Sequence, residues 1–330
     1  MVCLMSKLAK SVIVITVTAL SIIGAMLFGS AGLSYTDTLG CLLGQCNSSL
    51  TETLIWQVRF PRVVAGLVAG AGLAIAGAIL QNATRNPLAD PYLFGIVSGA
   101  GLGATIANLA FSQQLAITLP LAAFLGALFA IGLVLLLGKR LKQVEHLLLA
   151  GVAVSFMLGA IYQFLLYIGE PFATNRVVFW LMGSLARVEI SNLYLMLPVT
   201  LMCSVIVVLY SRQLDALLLG DESAFTLGVN PEKVRLIMLA VCAALTATIV
   251  AYCGGLGFIG LMIPHIARQI FGVTTFKLVL GSAFLGSMFL IWVDVIARTL
   301  LDGQEIPIGV ITAAIGSLFF IFILKQRSHS

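Results

Sequence analysis

Long apolar runs, each close to the length of one bilayer crossing, alternate along this chain with short polar breaks. An α-helix needs roughly 20 apolar residues to cross a hydrocarbon core, somewhat fewer where protein shields it. That ruler predicts ten spans, near residues 11–29, 62–81, 92–110, 115–138, 146–168, 191–210, 234–253, 256–272, 278–297 and 307–324. The eighth is interrupted by Gly254, Gly255, Gly257 and Pro264, residues that punctuate helices. The first follows Lys7 and Lys10 like a signal peptide. Its apolar run of about 19 residues exceeds a signal core, and no small-residue cleavage site closes it, so it reads as a span. The chain is therefore expected to be an all-α polytopic membrane protein, with one transmembrane domain over residues 1–330 and both termini on one side.

The longest polar break is Ser211–Arg235, between spans six and seven. Its centre carries helix punctuation: Asp221 as N-cap after Gly220, an apolar side from Ala224, Phe225 and Leu227, and Gly228 as a left-handed stop. A second start follows, with Asn230 as cap, Pro231 at the first helical position and Glu232 on the positive end of the dipole. Two short helices joined by a glycine turn would make a docking knob. Between spans two and three, Gln81–Pro91 holds two prolines that forbid helix continuation and make a rigid turn. It reads either as a solvated loop or as a gate lining. A run of about 12 residues between Asn175 and Val188 is too short to span and too apolar for a free loop, so a re-entrant or interfacial helix is expected there.

Composition agrees with the pattern: of 330 residues 60% are hydrophobic and only 9% charged, with mean hydropathy +1.11, too little polar surface for a soluble globule. The net charge of +5 lies in no long basic cluster, which argues against nucleic acid and for a topogenic role. If both termini are cytoplasmic, 13 of the 18 Lys and Arg residues fall inside and 5 outside, as the positive-inside rule requires. The Ser211–Arg235 break then faces the cytosol. Span two is rich in small residues (Ala65, Gly66, Ala69, Gly70, Ala76, Gly77), a surface suited to close helix packing.

Candidate chemistry is sparse. Gly255-Leu-Gly-Phe-Ile-Gly260 matches a dinucleotide fingerprint by letter, but Pro264 follows at once and the next acid is Asp294. No phosphate-binding GxxxxGK[ST] motif occurs, so ATP hydrolysis needs another chain. Asp294 is the one acid near a span interior, and Arg298 at i+4 suits an intrahelical ion pair, against a proton relay or a docking role for Arg298. His265 reads as an interfacial hydrogen-bonder at a helix start, and His146 and His329 lack partners at metal spacing. No metal site and no cofactor are expected. Of the cysteines, Cys41 and Cys46 alone are placed to pair, provided their loop faces an oxidising compartment.

Taken together these residues resemble the permease family of type II ABC importers, which takes up vitamin B12, ferric siderophores and haem. The resemblance rests on Val58-Arg-Phe-Pro-Arg62, Asn86-Pro-Leu-Ala-Asp-Pro91 with Gly95-Ile-Val-Ser-Gly-Ala-Gly101, Leu148-Leu-Ala-Gly-Val152, Gly257–His265, the Asp294 and Arg298 pair, and Ile306-Pro-Ile-Gly-Val310. It implies a homodimer in the bacterial inner membrane, surrounded by lipid, with two cytosolic ATP-binding subunits and a periplasmic or lipid-anchored substrate-binding protein. Glu222, Ala224 and Gly228 match the ATPase-coupling pattern Glu-x-Ala-x3-Gly, within a coupling element of Gly220, Asp221, Glu222, Ala224, Phe225, Leu227 and Gly228, and Ser223 replaces the commoner Ala. Arg59, Arg62 and Arg298 match outer arginines that meet acidic residues of the binding protein. Asn86, Pro87 and Leu88 fall where the family places a cytoplasmic gate. A second gate loop, which in the vitamin B12 permease carries small hydroxyl residues, here reads Lys142-Gln-Val-Glu145. The implied function is import of a bulky metal chelate with no covalent chemistry. An ion-coupled secondary transporter is the alternative, and would need convergent embedded ionisable residues.

Overall fold

The computed structural model describes residues 2–29, 33–110, 115–138, 144–301 and 303–327. Among them every regular element is helical. In chain order these are α1 (Val2–Leu27), α2 (Tyr35–Leu42), α3 (Ser49–Thr53), a π-helical stretch Leu54–Arg59 leading directly into α4 (Phe60–Thr84), and a 3₁₀ turn Pro91–Phe94. There follow α5 (Ile96–Ala110), α6 (Leu115–Gly138), α7 (Val144–Ile168), α8 (Pro171–Leu181), α9 (Ile190–Leu209), α10 (Ser211–Leu218) and α11 (Asp221–Thr226). The chain ends with α12 (Pro231–Cys253), α13 (Ile259–Phe271), α14 (Thr275–Thr299) and α15 (Ile308–Arg327).

Each apolar run is helical where the hydropathy pattern places it. Seven of the helices are long and apolar enough to cross a membrane: Ser49–Thr84, Thr118–Leu137, His146–Ile168, Ile190–Leu209, Pro231–Cys253, Thr275–Thr299 and Ile308–Lys325. Ile96–Ala110 is a shorter apolar helix, and Val12–Leu27 is the apolar part of α1. The eighth run is shorter still, because α13 begins only at Ile259 and spans 13 residues.

The small-residue helix α4 is the centre of the bundle, buried along nearly its whole length from Pro61 to Thr84. It packs on α14 and α13 through glycines facing backbone. A Cβ on Gly70 would collide with the Gly286 carbonyl, and one on Gly77 with the Gly260 carbonyl. Lipid chains are as apolar as leucine, so helix association here rests on such close packing. Gly77→Val should therefore cost at least ~1–3 kcal/mol of overpacking, read as a lower thermal aggregation midpoint. Gly132→Ala, where nothing lies within 4 Å of the added carbon, should leave the midpoint unchanged.

The delayed start of α13 has a structural cause. Residues 254–258 are non-helical, with Gly254 at φ +72° and Phe258 at φ +68°. Protein groups supply partners to part of this backbone: Gly255 N–H donates to Leu181 C=O, Ser184 N–H to Cys253 C=O, and Leu256 N–H to the Tyr92 hydroxyl at 2.6 Å. Ile308 N–H and Gly309 N–H close the junction by donating to Gly183 and Met182 carbonyls. Irregular backbone persists at membrane depth only where it is buried in protein or lines a water-filled cavity. His265 consequently lies inside α13, not at a helix start, with its ring edge-on to Phe319 and 3.3 Å from Gln269.

Two further expectations are refined. The short helix expected as re-entrant or interfacial is present as α8, but it starts at Pro171 and ends at Leu181, burying Ala173, Val177 and Trp180 on one face. The polar break holds α10 and α11, whereas the start at Asn230 belongs to the long α12. Asn230 does cap it, its side chain accepting from Lys233 N–H, with Pro231 at the first position. Cys41 and Cys46 are disulfide-bonded. The loop of Lys139, Arg140, Lys142 and Gln143 lies outside the described residues.

Candidate functional site

Contacts across the bundle gather the site residues at its two ends. At the end the charge pattern assigns to the cytoplasm, α11 is a six-residue helix that could not persist alone. It is held at three points. Ala224 is fully buried. Gly228, at φ +78°, closes its C-terminus, with Gly228 N–H donating to Phe225 C=O and Val229 N–H to Ala224 C=O. Asp221 anchors its N-terminus, though not as the expected cap. The cap position belongs to Gly220 at φ +109°, and Asp221 is the first helical residue. Its carboxylate is turned instead toward two arginines.

Arg235 of α12 grips Asp221 with both terminal nitrogens, at 2.6 and 2.9 Å, while its Nε donates to the Ala83 carbonyl of α4 at 3.0 Å. Arg85 adds a second ion pair at 3.1 Å. Hydrogen bonds from Arg235, then the charges of Arg235 and Arg85, hold the Asp221 carboxyl below its ordinary range. Arg85 itself is left-handed at φ 52° and terminates α4. The start of α11 is thus fastened to the last turn of the central helix. A parallel tie joins α10: Asp215 accepts from Thr275 N–H and Oγ1 at 2.7 and 2.6 Å, capping α14 in trans. Thr275 Oγ1 in turn accepts from Asn82 Nδ2 at 3.0 Å.

Immediately after Arg85 comes the turn of Asn86, Pro87 and Leu88. Asn86 Oδ1 accepts from Leu88 N–H at 2.9 Å, an Asx turn that fixes the loop and leaves the Leu88 side chain 61% exposed. Asp90 then caps the 3₁₀ turn by accepting from Tyr92 N–H at 2.7 Å. Burial pushes the Asp90 carboxyl up to about 6, against that hydrogen bond, which lowers it. Because the folded value lies above the unfolded one, the native state holds a proton between about pH 4 and 6 that the unfolded chain has released. Stability should fall as pH rises through that window and level off above it. A shift of this size amounts to about 3 kcal/mol. Asp90→Asn keeps the acceptor and removes the charge, so its melting-temperature advantage over wild type should grow between pH 4 and 6. A constant gap would contradict this.

At the opposite end, Glu222, Phe225 and Leu227 have no counterpart; that end is built from arginines. Arg59, Arg62 and Arg298, which the resemblance matches to outer docking arginines, are only 5%, 5% and 3% exposed. Arg62 Nε donates to both Asp294 oxygens at 2.8 and 3.1 Å, and its Nη1 meets Glu305 at 2.7 Å. Arg59 and Arg298 donate to the Met26 and Ala25 carbonyls at 2.9 and 2.6 Å, capping the last turn of α1, where the helix dipole favours cations. The expected pair within α14 is present but secondary. Arg298 Nε lies 3.4 Å from Asp294 and makes no hydrogen bond. The dominant partner, Arg62, is 232 residues distant, and no periodicity within one helix could have pointed to it.

Long apolar helices packed around a small-residue central helix, with a non-helical junction inside the bundle, are the build of a multi-pass membrane protein, and the chain's relatives are transport permeases. More narrowly, residues 16–326 match the FecCD transport family, and the chain belongs to it. It is 36% identical over 327 residues to the Fe(3+)-citrate import system permease protein YfmE of Bacillus subtilis, covering 99% of this chain and 96% of that one. It is 37% identical to the cobalamin import system permease protein BtuC of Halobacterium salinarum, over 84% of this chain and 74% of the relative. A solved inward-facing transporter described as of the metal-chelate ABC type superimposes with a TM-score of 0.85 at 30% identity, covering 95% and 97% of the two chains.

Proposed function

We propose that this chain is the membrane-spanning permease of an ATP-driven importer for a bulky metal chelate, working as a homodimer in the bacterial inner membrane. Residues 1–330 form one transmembrane domain of ten spans with both termini cytoplasmic. Two cytosolic ATP-binding subunits supply the hydrolysis, and an extracytoplasmic binding protein delivers the substrate. The observation that carries the reading is α11, anchored on one side by Asp221 and Ala224 while Phe225 and Leu227 stand 70% and 63% exposed on the other. Exposed aromatic and aliphatic side chains on an anchored cytosolic helix are suited to a pocket on a partner. Glu222 and Gly228 frame that contact.

Closure of the ATPases on ATP would push α11, and the Arg85, Asp221 and Arg235 ties would carry the movement to the end of α4. The Asn86, Pro87 and Leu88 turn begins there, and its displacement opens the cytoplasmic gate. Names of relatives support ferric chelates and cobalamin as cargo classes. Docking of the delivery protein on Arg59, Arg62 and Arg298 needs one step more than exposed arginines would. An incoming carboxylate reaches Arg62 by displacing Glu305, whose side chain is 37% exposed.

Cysteine cross-linking tests the reading. Phe225→Cys and Leu227→Cys should each cross-link to the ATPase subunit in the assembled transporter, with yields that change on adding ATP. Failure of both to cross-link in a complex that still hydrolyses ATP would overturn it. Coupling to an ion gradient is disfavoured by Asp294, whose two oxygens are already engaged by Arg62.

A further inference from the structure

Two adjoining cavities open on the lateral side of the bundle at the end the charge pattern assigns to the outside. The first, of about 430 Å³, has Arg176, Arg187 and Glu189 at its rim, with Ser191 and Asn192 beside them. The second, of about 370 Å³, is lined chiefly by apolar side chains, including Leu121, Phe124 and Leu195. Pro120, Asn192, Ala251 and Tyr252 line both, so the two are continuous. Their order follows the membrane normal. Phe124 and Leu195 lie about one helical turn beyond Pro120 and Asn192, along helices that run from this end into the bilayer.

The rim carries two guanidiniums against one carboxylate. Arg176 and Arg187 are exposed and form no ion pair among the described residues. The deeper groove is flanked by Leu121 and Leu195, which are 57% and 49% exposed on helices facing away from the core. A polar, net-positive mouth above an apolar groove at the depth of an acyl chain matches one chemistry, that of a phospholipid. Neither a soluble chelate nor an acidic protein side chain would use the lower cavity.

We infer that the cleft between α6, α8, α9 and α12 is a binding site for an anionic glycerophospholipid of the outer leaflet. Its phosphate sits between Arg176 and Arg187, and one acyl chain lies against Phe124 and Leu195. Occupancy would brace α8 against α9 and α12. The inference rests on the membrane reading alone and is independent of the cargo or the ATPase.

Native mass spectrometry of the intact transporter, purified in mild detergent and supplied with phosphatidylglycerol, tests it. Each permease copy should retain phosphatidylglycerol in preference to diacylglycerol of the same chains, and inorganic phosphate should not displace it. Arg176→Gln with Arg187→Gln should weaken retention about 30-fold, since each basic residue near a lipid surface contributes about fivefold. Equal retention of diacylglycerol by the wild type, a comparison that needs no variant, would overturn the proposal. So would displacement by phosphate alone, or unaltered retention in the double variant. Disulfide formation between copies through Leu195→Cys would show that a second copy fills the cleft, and would overturn it too.

Discussion

Replacing Arg62 with leucine is expected to lower stability by about 3–5 kcal/mol, the range for removing one partner of a buried ion pair. The change leaves the Asp294 carboxylate without its two hydrogen bonds, and Arg298, 3.4 Å away through a nitrogen that makes none, is poorly placed to replace them. Glu305 loses its partner as well, at less cost because it is partly solvated. Adding Asp294→Leu should recover most of the loss, because well-packed apolar residues in place of a buried pair are often neutral. Arg298 keeps its bond to the Ala25 carbonyl in that double variant. The measurement is the thermal aggregation midpoint of each variant in detergent. A double variant no better than Arg62→Leu alone would show that the arginines, and not the stranded carboxylate, hold the outer end together.

Asp221→Arg is expected to abolish transport, by at least tenfold relative to wild type. The new guanidinium would face Arg85 and Arg235 where Asp221 now bonds both. It would also put positive charge on the positive end of the α11 dipole. Each surface ion pair contributes little to stability alone, so the permease should still insert and fold. What should fail is transmission from α11 to the end of α4. The exchange Asp221→Arg with Arg235→Asp restores opposite charges across the same gap and should recover part of the transport. ATP hydrolysis in the assembled transporter separates the two losses. Hydrolysis that continues without uptake marks a broken link, whereas full uptake in Asp221→Arg would remove these arginines from the coupling path.

Much of this architecture is legible in the sequence, for reasons that also mark where legibility stops. Span positions follow from hydropathy, because the bilayer imposes one length on every crossing. Gly228 and Asn230 are readable because each answers a local backbone need, a left-handed stop and a helix cap. Asp221 carries the same local signal as an N-cap, and here tertiary partners override it: Arg85 and Arg235 take the carboxylate and Gly220 takes the cap. The partners of the outer arginines are hidden from the sequence for a related reason. Grouping Arg59, Arg62 and Arg298 at one end needs only topology, but whether they face solvent depends on Asp294, Glu305 and the end of α1, which meet them only in three dimensions. The short α13 follows from hydrogen bonds between sequence-distant residues at Gly183, Gly255 and Gly309, and in the sequence only the glycines and Pro264 hint at it.

ATP hydrolysis, and not an ion gradient, is expected to drive a chelate through this permease. Proteoliposomes containing the permease, its ATPase and its binding protein test it most directly, with uptake of labelled ferric citrate and of labelled cobalamin followed in parallel. At least one of them should accumulate, in a way that needs ATP on the cytoplasmic side and the binding protein outside and that survives collapse of the proton and sodium gradients. Accumulation driven by either gradient in the absence of ATP would contradict it.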